Sequence, residues 1–333
     1  MTPRYDLGYV WRISLIAAMG GLLFGYDWVV VGGAKPFFER SFGLTTAAEI
    51  GWANSCAIVG CLIGSLVAGA LFVPESPRWL LAAGARDRAR RVLARIGGEE
   101  YASSQSIEIE GTLAGGRERA SDLRALLVPG VRSVVLVGVA LAVLQQWSGI
   151  NSIFNYAEEI YREAGYGIGD IMFNIVITGT INLVFTVVAI VMVDRVGRRA
   201  LMLAGCAAIG VSHLLLGAAY AAGLRGLPIL VFTLCSLGGY AVSLAPVTWV
   251  LIAEIFPNRV RGAAVSVAVS ALWTACFILT FAFPLLQRSA GIAATFWIYA
   301  AICFAGFLFV RARVPETRGR TLEQIERELG LQP

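Results

Sequence analysis

Apolar residues in this chain do not alternate with polar ones. They run in nearly uncharged blocks of about twenty, separated by polar stretches. As helix at about 1.5 Å per residue, such a block covers roughly the 30 Å of a bilayer's hydrocarbon. Eight blocks are counted: Ile13 to Val31, Ile50 to Val73, Val134 to Phe154, Ile171 to Val193, Ala200 to Ala222, Leu227 to Ile255, Ala263 to Leu286 and Gly291 to Val310. Blocks of this length satisfy their backbone inside lipid only as helices, so the pattern predicts an all-α membrane protein. An even count returns both termini to one side. With the N-terminus in the cytoplasm, only Lys35, Arg40, Arg162, Arg225 and Arg288 lie outside, and the other 22 of the 27 basic residues lie inside. The opposite placement inverts the positive-inside rule. The expectation is a multi-pass protein of the cell (inner) membrane with both termini cytoplasmic.

The longest polar interval, Pro74 to Arg132, holds ten basic residues; it reads as helical over Arg86 to Ile96 and flexible around Gly111 to Gly116. An internal echo organises the rest. Val73-Pro74-Glu75-Ser76 leaves the second span as Val314-Pro315-Glu316-Thr317 leaves the last, which implies two related halves. The second half fits six spans between Val131 and Val314, whereas only two precede Pro74. About four spans are missing, and the junction falls near Ala70 to Phe72. The predicted division is a shortened bundle over 1–73, a cytoplasmic linker over 74–130, a six-helix bundle over 131–314 and a tail over 315–333. Gly60 and Gly64 form a small-xxx-small pair expected to permit close helix packing.

Composition sharpens what is excluded. With 57% hydrophobic and 15% charged residues and a mean hydropathy of +0.72, the chain is no soluble enzyme. The net charge of +5 comes from loops between apolar runs and forms no basic patch interleaved with aromatics, so no nucleic acid is expected. The six cysteines lie inside apolar segments without CxxC spacing and read as packing residues. His213 is the only histidine, which leaves no His-based metal cage, and it reads as a hydrogen-bonded helix residue. No HExxH, paired intramembrane carboxylates or GxSxG elbow is present, so neither an enzyme nor a cofactor is expected.

Several motifs occur in one order: Gly25-Tyr26-Asp27, Pro74-Glu75-Ser76-Pro77-Arg78-Trp79, Gln145-Gln146 with Gly149-Ile150-Asn151, Asp194-Arg195-Val196-Gly197-Arg198-Arg199, Glu254 with Arg261, and Pro315-Glu316-Thr317-Arg318-Gly319-Arg320. In these the chain resembles the sugar porters of the major facilitator superfamily, the sugar:proton symporters among them. The resemblance covers nearly the whole chain. It implies a twelve-span fold of which spans three to five and parts of two and six are absent here. It also implies a first-half copy of the Asp-Arg-x-Gly-Arg-Arg loop and an arginine in the fourth span, both missing.

Gln145 and Gln146 lie about 12 residues into their span, roughly 18 Å deep and close to the bilayer midplane. Carboxamides both donate and accept hydrogen bonds without a charge to desolvate, which suits sugar hydroxyls. From the residues alone, helix-bridging amides remain the other reading. The resemblance implies sugar binding by this segment. Gly149 can loosen the helix and turn Asn151 to the same cavity. Asn182 is equally deep, and the resemblance makes it a sugar contact. Pro246 is expected to bend its span and present Trp249 for stacking on a sugar face, with Trp273 as a second tryptophan. Leu272 and Asn155-Tyr156 depart from the pattern of the family, which places an amide and a tyrosine pair there.

Asp27 is the carboxylate well inside an apolar span. It reads either as a proton-coupling residue or as a neutral structural acid. At the span exits Glu75, Arg78, Asp194, Arg198, Glu254, Arg261 and Glu316 form a cytoplasmic charge set, read as conformational latches or as a solvated face. The leading expectation is transport of a monosaccharide, hexose or pentose, with proton symport as one mode. The alternative is a shortened porter that binds without transporting. The partners expected are sugar, proton and lipid, with a homo-oligomer left open.

Overall fold

The computed structural model describes residues 7–8, 11–12, 14–15, 30, 33–35, 37–71, 77–82, 84–114, 126–257 and 260–320. Asp27 and Glu75 lie outside them, as does the Arg78 side chain and nearly all of the first expected span. The described residues are helical and contain no strand. The helices are α1 Ala47–Leu71, α2 Pro77–Ala82, α3 Arg86–Ala114, α4 Pro129–Trp147, α5 Ile150–Asn155, α6 Ala157–Glu163, α7 Ile168–Val196, α8 Arg198–Ala221, α9 Leu227–Val242, α10 Leu244–Ile255 and α11 Arg261–Arg313.

The chain forms two compact units, one of residues 1–27 with 64–123 and one of 28–63 with 124–333. In the first, α2 and α3 make a small helical assembly in which Leu80, Leu81 and Ala89 bury one another. The sequence places a helix over Arg86 to Ile96 and flexibility near Gly111. Instead α3 breaks at Gly98 (φ 82°) and continues to Ala114. The two arms fold back on each other because Arg86 pairs with Glu110 at 2.8 Å and Arg90 with Glu99 at 3.0 Å.

In the second unit, helices long and apolar enough to span run over Pro129–Asn155, Ile168–Val196, Arg198–Ala221, Leu227–Ile255 and Arg261–Arg313. The last has 53 residues, which at about 1.5 Å each would be far longer than any bilayer is thick. It is two spans in one, because Gly291 (φ 84°, ψ 163°) leaves the helical region midway. Cross-helix contacts fix the directions of its arms. The first arm rises with α4 and α5, Ala275 accepting from Trp147 and Thr280 from Tyr156. The second arm descends against them: Tyr299 meets Ser152, and Cys303 meets Ser148. Close packing at the next step needs a bare glycine, since a Cβ on Gly306 would stand 2.3 Å from Leu144. The six expected C-terminal segments are thus all helical.

The structure adds detail to three of these expectations. The long span Leu227 to Ile255 breaks at Ser243 (φ −130°, ψ −88°), three residues before Pro246, which sits in the first turn of α10. Proline is tolerated there because first-turn N–H groups have no helical acceptor. Among the described residues, which leave out nearly all of the first expected span, a Cβ on Gly60 would meet nothing within 4 Å. The close approach comes nine residues earlier, where a Cβ on Gly51 would stand 2.6 Å from the Phe281 carbonyl. Residues 28–63 belong with the C-terminal bundle, since Ile50 joins its core and Trp52 packs edge-on to Phe277.

The second unit has two polar ends. One gathers residues 194–199, 254–257, 260–261 and 311–318; the other gathers 33–35, 37–46, 156–168 and 221–228, with Gly226 donating to Ala164 and Arg288 to Thr45.

Candidate functional site

Midway between those ends the helix breaks after Trp147. Gly149 takes φ 89°, and a Cβ there would lie 2.5 Å from the Tyr299 ring, so only glycine combines this turn with this packing. The break frees backbone polar groups in an apolar bundle, where each must find a partner. The Ser148 carbonyl does so by accepting from His213 Nε2 at 2.9 Å, taking the nitrogen as the protonated one. His213 is thereby the hydrogen-bonded helix histidine expected, packed on Phe296 and Tyr299.

The turn also brings Asn151 back over the glutamines. Asn151 Nδ2 donates to Gln146 Oε1, Gln146 Nε2 to Gln145 Oε1 at 2.7 Å, and Gln145 Nε2 to the Tyr240 hydroxyl at 2.7 Å. Gln145 and Gln146 are 5% and 6% exposed, so amides that expensive to bury are satisfied by one another. Each carboxamide has two N–H groups and two lone pairs, and the chain uses only part of that capacity. The remainder is what a polyhydroxylated ligand would engage. Asn151 also points Nδ2 at Cys276 Sγ, 3.7 Å away. Beyond it Asn155 donates to the Asn151 carbonyl at 2.9 Å, and the Tyr156 hydroxyl to the Thr280 carbonyl at 2.6 Å.

Asn182, Trp249 and Trp273 stand outside this hydrogen-bond chain. On α7 the buried residues include Asn174 and Thr178, and Asn182 continues their four-residue stripe, half-buried. On α10 the buried face is Leu244, Val247, Thr248, Leu251, Ile252 and Ile255; Trp249 falls on the other side and is 44% exposed. Trp273 is partly buried against the core, and its neighbour Leu272 is wholly within it. Tyr240 and Cys276 were missed by sequence reasoning. Cys276 carried a usable signal, one turn from Trp273 on the same face; Tyr240, 95 residues from Gln145, carried none.

At one polar end the charge set is assembled in part. Arg198 pairs with Asp194 and Glu254, both at 3.1 Å. Glu316 accepts from the backbone N–H of Arg198 at 2.9 Å and of Arg199 at 3.1 Å, so a carboxylate from the chain's end caps the positive N-terminus of α8. Thr317 donates to Glu254. Arg261 turns inward and donates to the Phe256 carbonyl at 3.1 and 3.2 Å. A cavity of about 250 Å³ lies near this end between Ser133, Ile255 and Arg313. Among the described residues no cluster of His, Cys, Asp and Glu is arranged to hold a metal ion.

The profile of the family described as Sugar (and other) transporter matches residues 13–72 and 67–329. The chain belongs to this family. Its two matched stretches meet at 67–72, the segment where the span count put the junction. The arabinose-proton symporter of Bacillus subtilis is 37% identical over 98% of this chain, and the D-xylose-proton symporter of Escherichia coli 32% identical over 96%. This chain spans 72% of the first relative and 66% of the second. The fold is that of the major facilitator superfamily. The superfamily's proton:xylose symporter XylE, bound to 6-bromo-6-deoxy-D-glucose, superposes with a TM-score of 0.65 and 29% identity, over 90% of this chain and 70% of that one. Transporters, not enzymes, make up this family's named relatives.

Proposed function

We propose that this sugar transporter family member carries a monosaccharide, pentose or hexose, across a cell membrane in symport with protons. The observation that carries the reading is the buried carboxamide chain from Asn151 through Gln146 and Gln145 to Tyr240, polar machinery without charge halfway along an apolar bundle. In it Gln145, Gln146 and Asn151 bind sugar hydroxyls. Asn182 adds a further polar contact, while Trp249 and Trp273 offer ring faces to the apolar side of the sugar. Asp27 exchanges the proton. Relatives named for arabinose and xylose support a pentose.

The basic-residue count supports placing the Arg198 end in the cytoplasm and the Lys35 end outside. In span order, residues 1–73 then act as a shortened first bundle whose 28–63 stretch packs on the second, 74–130 as a cytoplasmic linker, 131–314 as the second bundle and 315–333 as a tail. Arg198, Asp194, Glu254 and Glu316, with Arg261, Glu75 and Arg78, tie helix ends together on the inner side.

A second reading, binding without flux, draws on one observation: α7 exposes Phe173, Val176, Leu183, Val187 and Val191, a long apolar row. The test is reconstitution of the purified chain in vesicles, with binding and uptake of D-xylose and L-arabinose measured together under an inward proton gradient. Saturable uptake supports transport, and its loss in Asp27→Asn with binding retained supports coupling through Asp27. Binding without uptake favours the second reading. Absence of binding overturns both.

A further inference from the structure

The costliest buried charge among the described residues is Lys35, whose side chain is 0% exposed. Its Nζ lies 3.4 Å from Glu39 Oε1, in ion-pair contact with Glu159 Oε1, and 4.5 Å from the centre of the Tyr156 ring. Glu158 stands beside Glu159 and pairs with Arg162 at 3.0 Å. The glutamates of α6 are buried, Glu158 at 4% side-chain exposure and Glu159 at 10%, whereas Arg162 is 59% exposed. The cluster thus sets two cations, Lys35 and Arg162, against three carboxylates, Glu39, Glu158 and Glu159. Glu158 Oε2 and Glu159 Oε2 are buried without a hydrogen-bond partner. Each carboxylate has a cation at its other oxygen, but the cluster holds one carboxylate more than it has cations; the excess charge is costly to bury, and a proton on one of the unpartnered oxygens removes it.

The position of the cluster gives it leverage. Eight residues separate Asn151, which closes the amide chain, from Glu159, and both follow the Gly149 turn. Holding α6 therefore holds Asn151. We propose that Lys35, Glu39, Glu158, Glu159 and Arg162 form a proton-binding latch that ties α6 to the 33–42 stretch and takes up one proton from the adjoining water as it closes. The proton adds to a carboxylate oxygen as an O–H group, and no other bond changes. That the latch covers a sugar site rests on the reading above; that it closes with a proton does not.

Burial holds the Glu158 carboxyl above the usual carboxylate range, opposed by Arg162 and Lys35 and reinforced by Glu159 and Glu39. A group whose affinity for protons is raised in the closed state favours closure as pH falls, and that preference fades as pH rises through the raised value. Among the described residues, the other titratable groups nearby do not balance the charge. Glu163, Asp170 and Arg225 are exposed, and the hydroxyls of Tyr156 and Tyr299 are bound to Thr280 and Ser152.

The experiment is amide hydrogen exchange on the full chain in lipid nanodiscs, without sugar, between pH 5.5 and 8 and corrected for chemical exchange rates. In the wild type, residues 150–163 should exchange measurably more slowly at the acid end than at pH 8, because the Glu158 carboxyl is raised in the closed state. Glu158→Gln, a permanent mimic of the protonated acid, should be slow at every pH. Lys35→Met should be fast at every pH, while residues 198–242 keep wild-type protection. If Lys35→Met also loosens 198–242, the exchanged pair Lys35→Glu with Glu159→Lys decides, and it should restore protection of 150–163. An identical pH slope in wild type and Glu158→Gln, or no recovery in the exchanged pair, overturns the latch. D-xylose binding by the same samples tests the sugar site separately: absence of binding with the exchange pattern intact removes the sugar reading alone.

Discussion

The two polar ends of the C-terminal bundle hold similar residues under opposite conditions. At the Arg198 end, Asp194 is 79% exposed, Glu254 27% and Arg198 13%, and Glu316 places one oxygen on each of two backbone N–H groups. At the Lys35 end the cation is wholly buried, and two carboxylate oxygens lack partners. Arg198 Nε and Arg199 Nε are themselves buried without hydrogen-bond partners, so the contrast lies in the carboxylates: those that reach solvent contribute little each and tolerate loss, whereas buried ones in excess of their cations are costly to disturb. Loss of one contact at the first end leaves others in place, since Arg198 meets both Asp194 and Glu254. The second is built to switch.

The sharpest way to break this contrast is Lys35→Met, which strands Glu159 and takes the cation from Glu39. It should lower stability by about 3 to 5 kcal/mol, the cost of breaking a buried pair from one side, read as a shift in the unfolding midpoint in detergent. A shift no larger than that of an exposed-pair mutant would equate the two ends.

Between the ends, Gln146→Ala removes the middle link of the amide chain. Affinity for D-xylose or L-arabinose should fall by about 1 to 3 kcal/mol, roughly 5- to 150-fold, in isothermal titration of the purified chain. Unchanged affinity would reduce the glutamines to helix bridges.

Glu316→Ala uncaps α8, and a cap is worth about 0.5 to 2 kcal/mol. Denaturation should register that loss, with faster amide exchange at Arg198 and Arg199; wild-type exchange at those two amides would count against the capping role. The smallest effect is expected from Asp194→Asn, within about 0.5 kcal/mol in the same denaturation series, because its partner Arg198 keeps Glu254. A loss of several kcal/mol would mean that the exposed end is as tightly coupled as the buried one.

Much of this was legible along the chain. Unbroken apolar blocks marked the six C-terminal spans, and a glycine three residues past two amides marked the turn that carries Asn151 back. Asp194, Arg198, Glu254 and Glu316 announced themselves by lying at span exits. Other features were hidden for identifiable reasons. Trp249 is set by Pro246 in sequence, but Ser243 makes the break, because a proline can be absorbed in a helix's first turn. Lys35 and Glu159 lie 124 positions apart, and each alone reads as a loop charge on the outer side. Their burial depends on packing that no periodicity records.

The sequence by itself determined what must be inside lipid, because a run of about twenty apolar residues has no cheaper home. It also determined where the helices had to be interrupted, because Gly149 and Gly291 adopt backbone angles that side chains resist. Only the tertiary structure decided which polar groups satisfy one another. That choice depends on helices meeting face to face: Tyr240 reaching Gln145, Ser148 reaching His213, and Lys35 reaching Glu159 rather than water. Burial then holds the Glu158 carboxyl above the usual carboxylate range, a property of the assembled bundle that the residue does not carry alone.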